Sequence, residues 1–256
     1  MILLNDLSAF LDGYMLRTES TARIDPKMAN GLQVRGRQQV RTIVTGVSAN
    51  LRFFEQAMEM GADAVVVHHG LNLPDSIHFE RVFTERLRYL FDHELSLFGY
   101  HYLLDSHPEV GNNVQIIRQL GGRPVAPYGA DGWGWLGDLE AGADRDDLLA
   151  QCAALFHQEG IQYPFGPARV HRMVALSGSG APRAGDLDWL LANGVDLYVT
   201  GEPREWTREY CRETGISFVA GGHYHTEQIG IRALTQVLTG RWDGVDVRYL
   251  DLPNPV

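Results

Sequence analysis

The chain holds only two cysteines, Cys152 and Cys211, far apart and in no CxxC pair. That argues against a disulfide framework and a thiolate metal cluster, and it suits a reducing cytosol. Positive charge is also scarce: 22 lysines and arginines stand against 32 acidic residues, a formal charge of -10. This balance argues against a nucleic-acid backbone or an anionic membrane as main partner, while leaving room for a small anion at a local site. No apolar run approaches the roughly 18 to 20 residues that span a bilayer. The opening "MILLNDLSAFLDGYMLR" lacks the basic region and small-residue cleavage site of a targeting peptide; Leu7, Phe10, Leu11 and Tyr14 instead have helical spacing, with Asn5 as the expected cap. Walker and GxSxG motifs are missing, which weakens ATP-driven and α/β-hydrolase readings. The expectation is a cytoplasmic protein acting on a small molecule, with no direct nucleic acid and no membrane.

What is present is ordinary in bulk: 256 residues, 45% hydrophobic and 21% charged, enough for one large domain or two modest ones. Apolar strands alternate with helical patterns: "RTIVTGVSA" (41–49), a helix at 50–60, "DAVVVHH" (63–69), a helix near 79–93, "LSLFGYH" (95–101) and a helix at 111–120. Such alternation marks an α/β domain with a largely parallel sheet. From 124 to 171 the order loosens into Gly- and Pro-rich sequence, which suggests a boundary. Beyond it "RMVALSGSG", a helix around 184–193 and "GVDLYVTGE" parallel the first half in order and spacing. Aligned on Asp63 and Asp196, His69 falls opposite Glu202. The expected fold is α/β: two similar intertwined α/β/α lobes from an internal duplication, with a metal site in the cleft between them. Residues 1–125 form the first lobe, with 228–256 packing back on it, and 126–227 form the second.

Four histidines and two carboxylates sit at or just after strand C-termini: His68, His69, His101, Asp105, His223 and Glu227. Ligand sites of open α/β sheets tend to form there. Imidazole with carboxylate suits zinc, manganese, iron or cobalt, and six ligands are too many for one tetrahedral ion. They fit two ions about 3.5 to 4 Å apart, an arrangement used in hydrolytic displacement. The i, i+4 spacing of His223 and Glu227 places them on one face if "HTEQIGIRALTQVL" is helical with Ile229, Ala233 and Val237 inward. "HYLLDSHPEVGNN", with Pro108 and Gly111, reads as a loop carrying His101 and Asp105. Successive strand residues point to opposite faces, so adjacent His68 and His69 require a turn at Gly70 to serve one centre. His225, His107 and Glu202 lie near the cluster in sequence; Glu202 and His225 are the candidates for proton transfer. His78, His93, His157 and His171 have no such context. "SGSG" (177–180) reads as a tight strand-to-helix connection in preference to an anion cradle.

The motifs "NGLQV" (30–34), "TGVSA" (45–49), "GADAVVVHHG" (61–70), "YHYLLDSHPEVGNN" (100–113), "TGE" (200–202), "GGHYHTE" (221–227) and terminal "DLPNP" together resemble the Nif-three-like family, also labelled GTP cyclohydrolase 1 type 2 homologues. The resemblance covers essentially the whole chain. It implies a dinuclear divalent metal centre on the same six residues, and subunits assembled as a toroidal homohexamer around an internal cavity. "HHGLNLPD" departs from the more aromatic or Pro-containing segment of many relatives, and His225 stands where relatives commonly have a small residue. The leading expectation is a metal-dependent hydrolase, GTP cyclohydrolase-like, with a nucleotide as candidate substrate. A non-catalytic metal store or scaffold, or a dinuclear-metal phosphoesterase, fits the same ligands.

Overall fold

Strands apolar on both faces need helices on both sides, and the strand Ala64–His69 is the extreme case: Ala64 through His68 are all fully buried. The computed structural model describes residues 1–18, 21, 25, 28, 30–74, 78–129 and 131–255; Asp75 of the divergent "HHGLNLPD" segment lies outside them. The chain divides into two units, Met1–His107 with Ile231–Leu252, and Pro108–Gly230 with Pro253–Val256. The sequence reading draws the boundary near 125. It falls earlier because Ile116 and Ile117, on the helix Asn112–Gln119, are buried in the core of the second unit.

In the first unit the strands run in the order Asp246–Tyr249, Thr42–Ser48, Ala64–His69, Ser96–Gly99, Gly31–Val34. The first four are mutually parallel and the last is antiparallel. The helix Leu51–Glu59 starts at Asn50, whose side chain accepts the Phe53 N–H, and it packs Phe53, Phe54 and Ala57 against Val44, Val65 and Val67. The helix Leu4–Tyr14 buries Leu7 and Leu11, but its cap is Leu3 and not Asn5. Asn5 lies inside the first turn, where its side chain accepts a hydrogen bond from Arg35 at 2.9 Å.

In the second unit the order is Arg123–Tyr128, Gly134–Asp144, Arg169–Leu176, Leu197–Thr200, Ser217–Ala220, Ile161–Tyr163. The Arg169, Leu197 and Ser217 strands are parallel and the flanking pairings antiparallel. Alternate residues face opposite helical layers: Met173, Ala175, Leu197 and Val199 join Leu148, Leu149 and Cys152, while Val174, Tyr198 and Phe218 join Leu190 and Cys211. The Gly- and Pro-rich stretch read as loose sequence is an antiparallel strand pair. Pro124 and Pro127 are tolerated because they lie on the edge strand, and the pairing shifts register between Pro124 and Ala126.

The parallel between the two halves has a counterpart in hydrogen bonds. Asp63 Oδ2 accepts the backbone N–H groups of Arg41 and Thr42 at 2.8 and 3.1 Å. Asp196 Oδ2 accepts those of His171 and Arg172 at 2.7 and 3.1 Å. Ser96 Oγ accepts the Gly36 N–H and Ser217 Oγ the Gly166 N–H, each at 3.0 Å. Each carboxylate thus fixes the start of the strand before it, which sets the register at which the C-terminal end arrives. Replacing Asp63 or Asp196 by Ala leaves two strand N–H groups without this acceptor, and each substitution is expected to cost about 2 kcal/mol in urea unfolding; an unchanged midpoint would contradict this role.

Candidate metal centre

The strand Ala64–His69 pairs His69 with Ser48 and Val67 with Gly99, so His68 and His69 extend past the end of the Ser96–Gly99 strand. Gln33 fixes the turn that follows: its Oε1 accepts the Leu71 N–H at 2.7 Å and its Nε2 donates to the Leu71 carbonyl at 3.1 Å. Gly70 is required there, since a Cβ would come within 2.4 Å of Gln33 Oε1. Asn30 of the same "NGLQV" segment accepts the His101 N–H at 2.8 Å. Three imidazoles therefore gather in the first unit, with ring centroids 4.6 Å (His68–His69), 5.1 Å (His68–His101) and 5.3 Å (His69–His101) apart. Each ring offers a nitrogen within 4.8 Å of the others'.

Within the stretch expected to be a loop, Asp105 closes a short helix and His101 stands just before it as the N-cap. Tyr102–Asp105 is a single helical turn, in which the Asp105 N–H donates to the His101 carbonyl at 3.2 Å. Pro108 stands beyond that turn, where it deprives no hydrogen bond within it. The turn buries Asp105, whose carboxylate lies 3.7 Å from His68 Nε2.

In the second unit, His223 opens the helix His223–Leu238, and its Nε2 lies 3.1 Å from the buried carboxylate of Glu227 one turn later. The helix buries Ile229, Ile231, Leu234 and Leu238; Ala233 and Val237 are only half-buried, a rotation of the inward face from the one expected. "SGSG" is a tight connection: the Gly178 N–H donates to Thr226 Oγ1 at 3.1 Å, and the Gly178 carbonyl accepts the Gly201 and Glu202 N–H groups. With φ at +60°, Gly178 lies against His223 and Glu227, and a Cβ there would come within 2.3 Å of Glu227 Oε1 and 3.1 Å of His223 Nε2.

All four imidazoles are held through the same atom. His68 Nδ1 donates to the Tyr100 carbonyl at 3.0 Å, His101 Nδ1 to Asp25 Oδ2 at 2.5 Å, and His223 Nδ1 to Glu202 Oε1 at 2.5 Å. His69 Nδ1 lies 3.1 Å from the Ser48 hydroxyl. A carbonyl or carboxylate can only accept, so in three of the four the proton sits on Nδ1 and Nε2 is the nitrogen able to bind a cation. This is the arrangement of metal-ligating histidines, whose second nitrogen is normally anchored to an oxygen. In each unit by itself, imidazole stands beside a buried carboxylate, Asp105 in the first and Glu227 in the second, a donor chemistry that fits a divalent ion. Asp25 and Ser48 escaped the sequence reading because each is far along the chain from the ring it holds; the short polar side chain of "TGVSA" was the only trace of Ser48.

Glu202 is engaged by His223 and, through Oε2, by the Ser179 hydroxyl at 3.0 Å. Burial opposes its ionisation, but the hydrogen bonds from His223 and Ser179 outweigh this and hold it below the ordinary carboxylate range. His225 Nδ1 is 3.4 Å from Gln228 Nε2. His107 is buried, its Nε2 donates to the Tyr14 carbonyl at 2.7 Å, and its ring stacks on Tyr14, so it braces the first helix. His78, His157 and His171 are exposed, and His93 bonds the Tyr89 carbonyl at 2.8 Å.

Burial and the adjacent His68 ring push the pKa of His101 down, which favours the neutral form that binds metal. His223 is pushed the other way, up to about 9, first by its hydrogen bond to Glu227 and then by Glu202.

The family model for Duf34/NIF3 (NGG1p interacting factor 3) matches residues 4–255. The chain belongs to the Duf34/NIF3 family. Within that family it is similar to a protein of Pseudomonas aeruginosa named GTP cyclohydrolase 1 type 2 homolog, 39% identical over 241 residues, or 91% of this chain and 92% of the relative. The solved structure of protein ybgI, of unknown function, matches with a TM-score of 0.88 at 33% identity over all of both chains. Protein TTHA1606 from Thermus thermophilus matches with a TM-score of 0.82 at 30% identity, again over all of both. The α/β fold of this Duf34/NIF3 protein is thus that of solved relatives, and among the described residues no helix is long and apolar enough to cross a membrane.

Two outcomes follow, the first for the metal-free protein. Because the folded-state pKa of His223 is raised, its contribution to stability is complete below its unfolded value of about 6.5 and is lost as pH rises through about 9. An imidazole NMR titration should find this proton, and Glu202→Gln should lower its midpoint; a midpoint near 6.5 would contradict the pairing. Gly178→Ala forces Glu227 aside, so metal content measured by plasma emission should fall while the folded circular dichroism spectrum persists.

Proposed function

We propose that this protein is a metal-dependent hydrolase holding two divalent ions, zinc, manganese, iron or cobalt, on His68, His69, His101, Asp105, His223 and Glu227. The observation that carries the reading is the anchoring of all four imidazoles through Nδ1, which in the three held by a carbonyl or carboxylate leaves Nε2 as the ligand atom. A donor set of nitrogen and carboxylate oxygen without thiolate suits catalytic borderline cations. When bound, such ions supply Lewis acidity and lower the pKa of water toward about 7.

The chain's own residues do the rest. Asp25, Ser48 and the Tyr100 carbonyl orient the rings of the first unit, and Glu202, itself held by Ser179, orients His223. Glu202 is therefore a positioning residue in this account, and His225 is the candidate to carry a proton. Ring-opening hydrolysis of GTP is the reaction to which the relatives' name points, and a nucleotide is the substrate class tried first. The protein acts in the cytoplasm as a homohexamer.

Protein loaded with manganese, iron or zinc is expected to turn over GTP or another member of a nucleotide and phosphoester panel, and to lose that turnover with a chelator. Asp105→Ala combined with Glu227→Ala should abolish both activity and bound metal. Absence of metal-dependent turnover across the panel would overturn the enzyme reading in favour of a metal store or scaffold.

A further inference from the structure

In the second unit the segments that follow Gly178 and Pro203 border a half-open cavity of about 510 Å³, lined by Ser179, Arg183, Arg204, Trp206 and Tyr210 among others. That volume lies within the usual range for small-molecule pockets. Among the described residues neither Arg183 nor Arg204 makes an ion pair, whereas arginines elsewhere do, as at Arg172–Asp138 and Arg232–Asp251. Two guanidinium groups outside any ion pair line this wall, in a chain of net charge -10; Arg204 is felt electrostatically by the Glu202 carboxylate, and together they make the wall locally positive.

The aromatic wall is fixed in place. Trp206 is 41% exposed, yet its indole N–H donates to the Pro182 carbonyl at 3.1 Å, which ties the two loops together and orients the ring. Arg204 is anchored beside it, its backbone N–H donating to Thr207 Oγ1 at 2.8 Å. An oriented indole offers a planar ring something to stack on, and guanidinium forks match phosphate oxygens. Ser179 is shared: it lines the cavity and donates to Glu202, which holds His223.

We propose that this cavity is the seat of a nucleoside phosphate, with Arg183 and Arg204 on the phosphate and Trp206 under the base. The assignment rests on the hydrolase reading, since it makes the cavity the substrate seat beside His223, and it narrows the substrate to an aromatic ring joined to a phosphate. Ser179 carries contact from that seat to Glu202, so an occupied cavity and an oriented His223 share one hydrogen-bonded path.

Titration calorimetry on the full chain tests it, using guanosine 5′-monophosphate, guanosine and glycerol phosphate on metal-stripped and metal-loaded protein. The nucleotide should bind both forms more tightly than either fragment. Arg183→Ala with Arg204→Ala should weaken it about a hundredfold while leaving metal content and melting temperature unchanged. Trp206→Ala should weaken nucleotide and nucleoside alike, by about tenfold. Should the alanine pair unfold, the Lys pair, R183K with R204K, keeps the charge and should lose about tenfold. Equal affinity in wild type and either double variant, or no nucleotide binding to the metal-stripped protein, would overturn the proposal. Binding that survives in protein incapable of turnover would support the seat while removing the hydrolase around it.

Discussion

An imidazole presents one nitrogen reliably only when something holds the other, and this constraint organises the site. His68, His69, His101 and His223 are each tied through Nδ1 to an oxygen at 3.1 Å or less. Without those oxygens the rings could flip and the two nitrogens exchange roles. The holders are varied in kind: a strand-end carbonyl, a hydroxyl on the adjacent strand, and two carboxylates. The carbonyl and the two carboxylates set the tautomer of their rings in advance, and the hydroxyl fixes the orientation of His69, so little ordering is left for the moment of binding a cation.

The sheets explain how the holders come within reach. Parallel strands bring their C-terminal ends to one edge, and the register Ser48 opposite His69 places hydroxyl and ring side by side. Asp63 in the first sheet and Asp196 in the second each act at the opposite end of their own sheet, by securing the first N–H groups of the preceding strand. Glycines then permit the close approaches. Gly70 makes room for Gln33, and Gly178 makes room for Glu227, so two positions without side chains protect the geometry of residues that have the chemistry.

Much of this could be read from the chain before its fold. Apolar strand patterns ending in histidine marked His68, His69 and His101, and a four-residue spacing marked His223 with Glu227, because both signals are local and periodic. The oxygens that hold the rings were not legible: Asp25 is 76 residues from His101, and nothing in its own neighbourhood signals that contact. Glu202 was found by alignment of the two halves, as a general base or a residue that supports a ligand; its hydrogen bonds with His223 and Ser179 suit the second of these. The strands at Arg123–Tyr128 and Gly134–Asp144 were hidden by proline and glycine, which an edge strand and its partner accommodate through a register shift. The cap at Asn5 failed because the helix begins two residues earlier than that cap requires, at Leu4, so a favoured capping residue is placed inside the first turn.

The account turns on which nitrogen faces the metal. Anomalous diffraction from crystals of the full chain grown with manganese or zinc reads this directly. The result expected is metal density at bonding distance, about 2.0 to 2.2 Å, from Nε2 of His68, His69, His101 and His223, with every Nδ1 still on its oxygen. Metal bonded through Nδ1, or loaded protein with no anomalous peak at these histidines, would contradict it.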